Sequence, residues 1–358
     1  MLVLGALLPF SEVSAAEGQA QPPALSCEFV LGDKVAEADP FLGDWEAGSA
    51  KDQAKSVVAQ VIPRGLGTYR IHFQQVFDQR CPLFAEVDAK TDGAVLRFDQ
   101  GGWSGRIEGG VLQGTGRVTA KVGYSEHKEI RFELKKAVRP SPRLGASPPE
   151  GSVVLYGGKG LDNLESDHRN GLEMQWQQLP DCLRIWPPLN EHDFGAALRT
   201  RQGFPNFRLH LEFRLPLIAE VTGQSRANSG IIIEDYEFYE LQILDSYGLP
   251  GYWDECGAIY NKEAPKMNAC RPPGQWQSYD VTYHGPRFDS EGKLTAPARI
   301  TVDLNGKLIH RDVDLPYSDR ALQTRRDKPG SRVPGRLTFQ NHGDPVDFRN
   351  IWIQELKD

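Results

Sequence analysis

The densest run of chemically capable residues is Tyr239-Glu240-Leu241-Gln242-Ile243-Leu244-Asp245. Read as a strand, it places Glu240 and Gln242 on one face and Leu241 and Ile243 on the other, because side chains alternate along an extended backbone. A carboxylate beside an amide on a polar sheet face can hydrogen-bond sugar hydroxyls. Asp245 falls where the strand ends and the chain turns. Aromatic residues crowd the same stretch, at Tyr236, Tyr239, Tyr247, Tyr252 and Trp253. A second run is Thr338-Phe339-Gln340-Asn341-His342-Gly343, in which Gln340 and His342 share a face if the strand continues that far. An imidazole with a reference pKa of about 6.5 works as acid or base near neutrality. A third is the Ala227-Asn228-Ser229-Gly230 turn. Each run also has a plain structural reading: a solvated sheet face, a hydrogen-bonded histidine, an ordinary turn.

Other chemistries find no support. Asp193-Phe194-Gly195 has neither a kinase glycine loop nor a lysine strand beside it, and no P-loop, GxSxG, HExxH or dinucleotide fingerprint occurs. Asp245, Glu240 and His342 offer the oxygen and imidazole ligands that a divalent metal accepts, so metal assistance stays open.

The elements that must position these residues are strands. Phe207, Leu209, Leu211, Phe213 and Leu215 alternate with Arg208, His210, Glu212 and Arg214, the clearest period of two in the chain. Strands are expected over 229–233, 237–244 and 299–304. The last should turn through Asn305-Gly306 as a type I′ hairpin into 308–310. Further strands are expected over 337–340 and 348–356. No amphipathic helix of useful length emerges, so this half reads as an all-β sandwich.

Upstream, 57–62, 69–73, 95–98 and 130–134 read as short strands, with Gly101-Gly102 and Gly109-Gly110 at turns. They predict a small antiparallel barrel or sandwich over 28–138 without a chemical cluster of its own. Residues 139–151 carry Pro140, Pro142, Pro148 and Pro149, which disfavour helix and central strand, and read as a linker. The second domain then spans 152–358.

Two domains suit 358 residues. The net charge of -7, with no basic arm, argues against a nucleic-acid partner. Leu2 to Leu8 are apolar and Ser14-Ala15-Ala16 are small, the pattern of a signal peptide cleaved after Ala16, although no Lys or Arg precedes it. The expected location is therefore periplasmic or secreted. No later segment is long and apolar enough to span a bilayer. Five cysteines match no metal spacing; Cys256 and Cys270 can bridge a turn-rich loop in an oxidising compartment.

Taken in order, Phe207-Arg208-Leu209-His210-Leu211-Glu212-Phe213, Asn228-Ser229-Gly230, Glu240-Leu241-Gln242-Ile243-Leu244-Asp245, Gly257-Ala258-Ile259-Tyr260, Gly274-Gln275-Trp276, Gln340-Asn341-His342-Gly343 and Phe348-Arg349-Asn350-Ile351 resemble the 3-keto-disaccharide hydrolase domain family. The resemblance covers residues 152–357. It implies a concanavalin-like (glucanase-like) jelly roll whose concave face binds an oxidised disaccharide or glycoside. It also implies cleavage of sugars already oxidised at C3. Carried over, it makes Glu240, Asp245 and His342 the catalytic candidates. Gln242, Gln340, Asn228, Glu212 and Arg349 become the substrate-binding candidates. The alternative from another class is a lectin-like module that binds carbohydrate without turnover. Two departures stand out. The family's opening run with its tryptophan is reduced to Val154-Leu155-Tyr156-Gly157, and Glu234 stands where an arginine often follows the Asn-Ser-Gly turn.

Overall fold

Short alternating runs separated by glycine turns leave strands as the way to bury apolar side chains, and the chain is accordingly all-β, with half of it in strands and 7% in helix. The structure, a computed structural model, describes residues 29–48, 57–78, 83–119, 127–167, 176–186, 195–234, 237–327 and 335–357. The proposed leader over 1–16, Cys27, Cys81, Tyr236 and the 193–194 pair lie outside the described residues.

Eight antiparallel strands come first: β1 Gly43–Glu46, β2 Val58–Pro63, β3 Thr68–Gln74, β4 Ala85–Asp92, β5 Val95–Gln100, β6 Trp103–Glu108, β7 Val111–Thr119 and β8 His127–Ala137. Each pairs with the next, and β1 pairs with β8, so the sheet closes into a barrel. Closure removes both sheet edges. Alternate residues fill the interior, where Phe73 stacks on Trp103 at 4.4 Å between centroids. Gly116 is glycine for room: a Cβ there would lie 2.3 Å from the Trp103 ring.

The second unit contains β9 Val153–Tyr156, β10 Leu164–Asp167, β11 Trp176–Gln178, β12 Leu183–Ile185, β13 Ala197–Thr200, β14 Asn206–Arg214, β15 Ser229–Glu234 and β16 Phe238–Ile243. It continues with β17 Trp276–His284, β18 Arg287–Phe288, β19 Leu294–Ala296, β20 Ala298–Leu304, β21 Lys307–Leu315, β22 Arg336–Phe339 and β23 Asp347–Glu355. One sheet runs β10-β13-β22-β15-β16. The other runs β11-β12-β23-β14-β17-β20-β21, with β9 joined to β23. A single apolar cluster lies between them, drawing Ile231, Leu241, Ile243 and Phe339 from the first sheet and Phe207, Leu211, Phe213 and Val281 from the second. The alternating run of β14 buries its apolar side here, with Phe207 on Tyr283 and Phe213 on Tyr279 at 5.1 and 5.2 Å. Asn305 and Gly306 both take positive φ (54° and 74°), as the type I′ turn requires.

The proline-rich segment is not a free spacer. Arg139 pairs with Asp44 and Asp78 at 2.7 and 2.8 Å. Ser141 Oγ meets Ser278 Oγ at 2.6 Å, and Arg143 pairs with Asp280. Gly145 donates its N–H to Glu212 Oε1 at 2.6 Å. The segment is thus strapped along the outer face of the larger sheet. Cys256 and Cys270, which could bridge in an oxidising compartment, are here buried free thiols that hydrogen-bond each other. Among the described residues no helix is long and apolar enough to cross a membrane.

Candidate functional site

Burial against the other sheet decides which face of β16 is left for chemistry. Tyr239, Leu241 and Ile243 go into the core, so Glu240 and Gln242 point away from it. Gln242 pairs directly across from Gly230 on β15, and Glu240 lies across from Ile232. Ile232 in turn lies across from Thr338 on β22, so Thr338 and, two residues on, Gln340 share that face.

Gly230 makes room for Glu240. A Cβ at residue 230 would sit 2.5 Å from Glu240 Oε1 and 3.1 Å from its Cγ. The glycine of the Asn-Ser-Gly turn is therefore needed for space, and φ plays no part. Among the described residues the Glu240 carboxyl has no hydrogen-bond or ion-pair partner. Burial in these surroundings pushes its pKa up to about 7. A carboxyl poised there can donate or accept a proton near neutrality, and perturbed groups of this kind mark functional sites.

Around it lies an amide cluster. Gln242 Nε2 and Asn228 Nδ2 both donate to Gln224 Oε1 at 3.1 Å, and Gln224 Nε2 donates to the Asp254 carbonyl at 2.7 Å. Asn228 Oδ1, Gln242 Oε1 and Gln340 Oε1 are buried acceptors with no donor among the described residues. Each such group costs about 1–3 kcal/mol while unsatisfied, so hydroxyl donors from a ligand or water are favoured here. Gln224 was not legible as a site residue, since nothing in its neighbourhood distinguishes it from a loop glutamine.

His342 sits just past β22, which ends at Phe339, so the expected strand does not extend to it. A loop positions it instead. Gln340 N–H donates to the Gly230 carbonyl, Ser229 Oγ to the Gln340 carbonyl at 2.7 Å, and Asn228 N–H to Asp344 Oδ2 at 2.6 Å. The His342 loop and the Asn228 turn are stitched together beside the β15–β16 pair. Desolvation lowers the His342 pKa, against a raising contribution from a backbone hydrogen bond, and so favours the neutral imidazole.

Two expectations need correction. Asp245 is out of phase with Glu240, and its carboxylate is held by Arg226 at 2.6 Å while accepting the Tyr247 N–H at 3.2 Å. It braces the strand end and does not join the Glu240 face. Glu212 and Arg349 lie on the other sheet, paired to each other at 2.7 Å. Glu212 also accepts from Asn350 and Gly145. Burial alone would raise its pKa; hydrogen bonds from His210, Asn350, Gly145 and Arg349 outweigh that and hold it at about 2. Its task is to anchor the 139–151 strap. Among the described residues no three His, Cys, Asp or Glu side chains converge as metal ligands.

Fold and site together define an all-β protein with a poised carboxyl and an imidazole beside a polar sheet face. The chain belongs to the 3-keto-alpha-glucoside-1,2-lyase-like domain family, whose profile matches residues 153–354 and so more than half of the sequence. This is the family whose motifs the sequence displays, and it makes a glycoside-acting function the coarse assignment. No curated protein matches the sequence. Among solved structures, one Parabacteroides distasonis protein provisionally named a glycosyl hydrolase is 29% identical. That match covers 67% of this chain and 97% of the other, with a TM-score of 0.48. A second from the same organism, similarly named, is 20% identical over 58% and 95%, with a TM-score of 0.38.

Proposed function

We propose that this protein cleaves 3-keto-glycosides by elimination across C1 and C2, with hydration of the product completing a net hydrolysis. The observation that carries this reading is Glu240: a half-buried carboxyl with no partner among the described residues and a pKa raised to about 7, beside a loop that carries an imidazole biased towards its neutral form. The C3 ketone acidifies the hydrogen on C2. His342 takes that proton, the C1–C2 double bond forms, and the C1–O bond breaks. The departing oxygen takes its proton from the Glu240 carboxyl. The products are an unsaturated 2-hydroxy-3-keto sugar and the free alcohol, and atoms and charge balance. The amide oxygens of Gln242, Gln340 and Asn228 are suited to accept hydrogen bonds from the sugar's hydroxyls. Asp245 sits on an arginine, so it does not serve beside Glu240 as the second carboxylate of an ordinary glycosidase. The family's concanavalin-like jelly roll, with the substrate in its concave face, fits a poised group on an open sheet surface. The apolar leader suggests that the reaction takes place in the periplasm or outside the cell.

The deciding experiment uses 3-keto-trehalose carrying deuterium at C2. Elimination washes the label into solvent and slows cleavage through a primary isotope effect. Cleavage with the deuterium fully retained would sink the mechanism, and saturable binding with no cleavage would make the protein a carbohydrate-binding module.

A further inference from the structure

The barrel contributes more to this molecule than a separate fold, because its outer face forms one wall of a cavity of about 640 Å³. Gln60, Arg70 and His72, from β2 and β3, line one side. Tyr247, Tyr252 and Asn268, from the loops after β16, line the other. The two walls are fixed to each other. Tyr247 donates its hydroxyl to Asp44 of β1 at 2.7 Å, and Asp44 pairs with Arg139 of the strap. A Cβ at Gly248 would lie 2.1 Å from Ile62 Cδ1, so the loop backbone rests directly on the barrel. The cavity is therefore preformed at a domain junction, where small-molecule sites are common, and its volume falls within their usual range of about 300–1,000 Å³.

The lining indicates the class of occupant. Its charges are largely matched pairwise: Arg70 with Glu86 and Asp88, Asp78 with Arg139 and Arg271, Arg226 with Asp245. Among the described residues, Arg64, at the exposed rim, is the exception. A wall of compensated charges, amides and an imidazole suits a neutral ligand with many hydroxyls better than an ion. Tyr252, 56% exposed, supplies an aromatic surface for the apolar face of a sugar ring.

The cavity is linked to the Glu240 face through the loop that precedes β15. Arg226 lines it two residues before Asn228. Gln224 ties the carbonyl of Asp254, two residues after Tyr252, to Gln242 and Asn228. We propose that the junction between barrel and sandwich is a second saccharide-binding site, for a neutral sugar unit outside the Glu240 face. Glucose-based sugars are chosen as probes on the strength of the function proposed above; the site itself stands on the cavity.

The test is calorimetric titration of the full chain with trehalose, cellobiose and maltotriose. At least one should bind the wild type, and Tyr252→Ala and Arg70→Ala should each weaken it about tenfold, as loss of a principal contact does. Glu240→Gln should bind as the wild type does, and thermal melts confirm that all variants are folded. If none of the three sugars binds, the cavity is a solvent-filled seam and the proposal falls. It also falls if the cavity variants bind normally, or if Glu240→Gln alone abolishes binding. Sugar binding that depends on Tyr252, in a protein that never cleaves a 3-keto-glycoside, would uphold this site and overturn the proposed function. Cleavage with no Tyr252-dependent binding would do the reverse.

Discussion

Replacing Glu240 with glutamine separates chemistry from stability, because the same burial that poises the carboxyl also penalises its charge. The rise from 4.5 to about 7, at about 1.4 kcal/mol per unit, makes ionised Glu240 cost the fold about 3 kcal/mol. The sign follows from proton linkage. Between the two pKa values the folded state binds more protons than the unfolded state, so stability falls as pH rises through this window. Glutamine imitates the protonated acid at every pH. Glu240→Gln should therefore melt with the wild type at about pH 4, where both states hold the proton, and above it at about pH 8.5. At about 2–4 °C per kcal/mol, the gain at alkaline pH is several degrees. Turnover of 3-keto-trehalose should meanwhile fall about 100- to 10,000-fold with the loss of the acid. Paired melts at the two pH values, beside initial rates, decide the matter. A melting difference that is the same at both would show that Glu240 ionises freely, and the assignment of a poised acid would be wrong.

Three further outcomes are expected. His342→Ala should lose turnover by a similar factor, about 100-fold or more, while remaining folded by circular dichroism; a variant that keeps more than roughly a tenth of the rate removes His342 as the base. Gly230→Ala should also cut the rate, because the new methyl group would lie 2.5 Å from Glu240 Oε1 and displace the carboxyl. Its pH–rate profile should shift with the displaced acid, and an unchanged rate and profile would refute the packing argument. Glu212→Ala should expose the 139–151 strap to limited proteolysis that the wild type resists, since Gly145, Asn350 and Arg349 lose a shared acceptor. With its pKa held at about 2, Glu212 contributes stability above about pH 4.5 that is lost as pH falls towards 2. The variant's deficit should therefore shrink in acid.

What the sequence discloses and what it hides divide along the range of the interactions involved. The strand of Phe207 to Leu215 and the Asn305-Gly306 hairpin are legible because period-two burial and left-handed turn residues are local properties. So is the shared face of Glu240 and Gln242, which follows once Leu241 and Ile243 are assigned to the core. Asp245 fails for the complementary reason: alternation already puts it out of phase with Glu240, but its buried partner Arg226 lies 19 residues away and leaves no local trace. Glu212 and Arg349, 137 residues apart, look like site residues because buried charges in family motifs often are. Their hydrogen bonds show them gripping a strap instead. The prolines of 139–151 correctly exclude helix and central strand, yet an extended segment can still be tightly docked, because its carbonyls and side chains remain free to bond the sheet beneath it. The barrel's part in a cavity is the least legible of all. It depends on which outward-facing residues of β2 and β3 meet the Tyr247–Tyr252 loop, and an outward-facing polar residue carries the same pattern whether it faces water or another domain. A residue's chemical type and strand phase thus suffice to nominate Glu240. Long-range partners decide whether a nominated carboxylate is poised like Glu240 or tied down like Asp245 and Glu212.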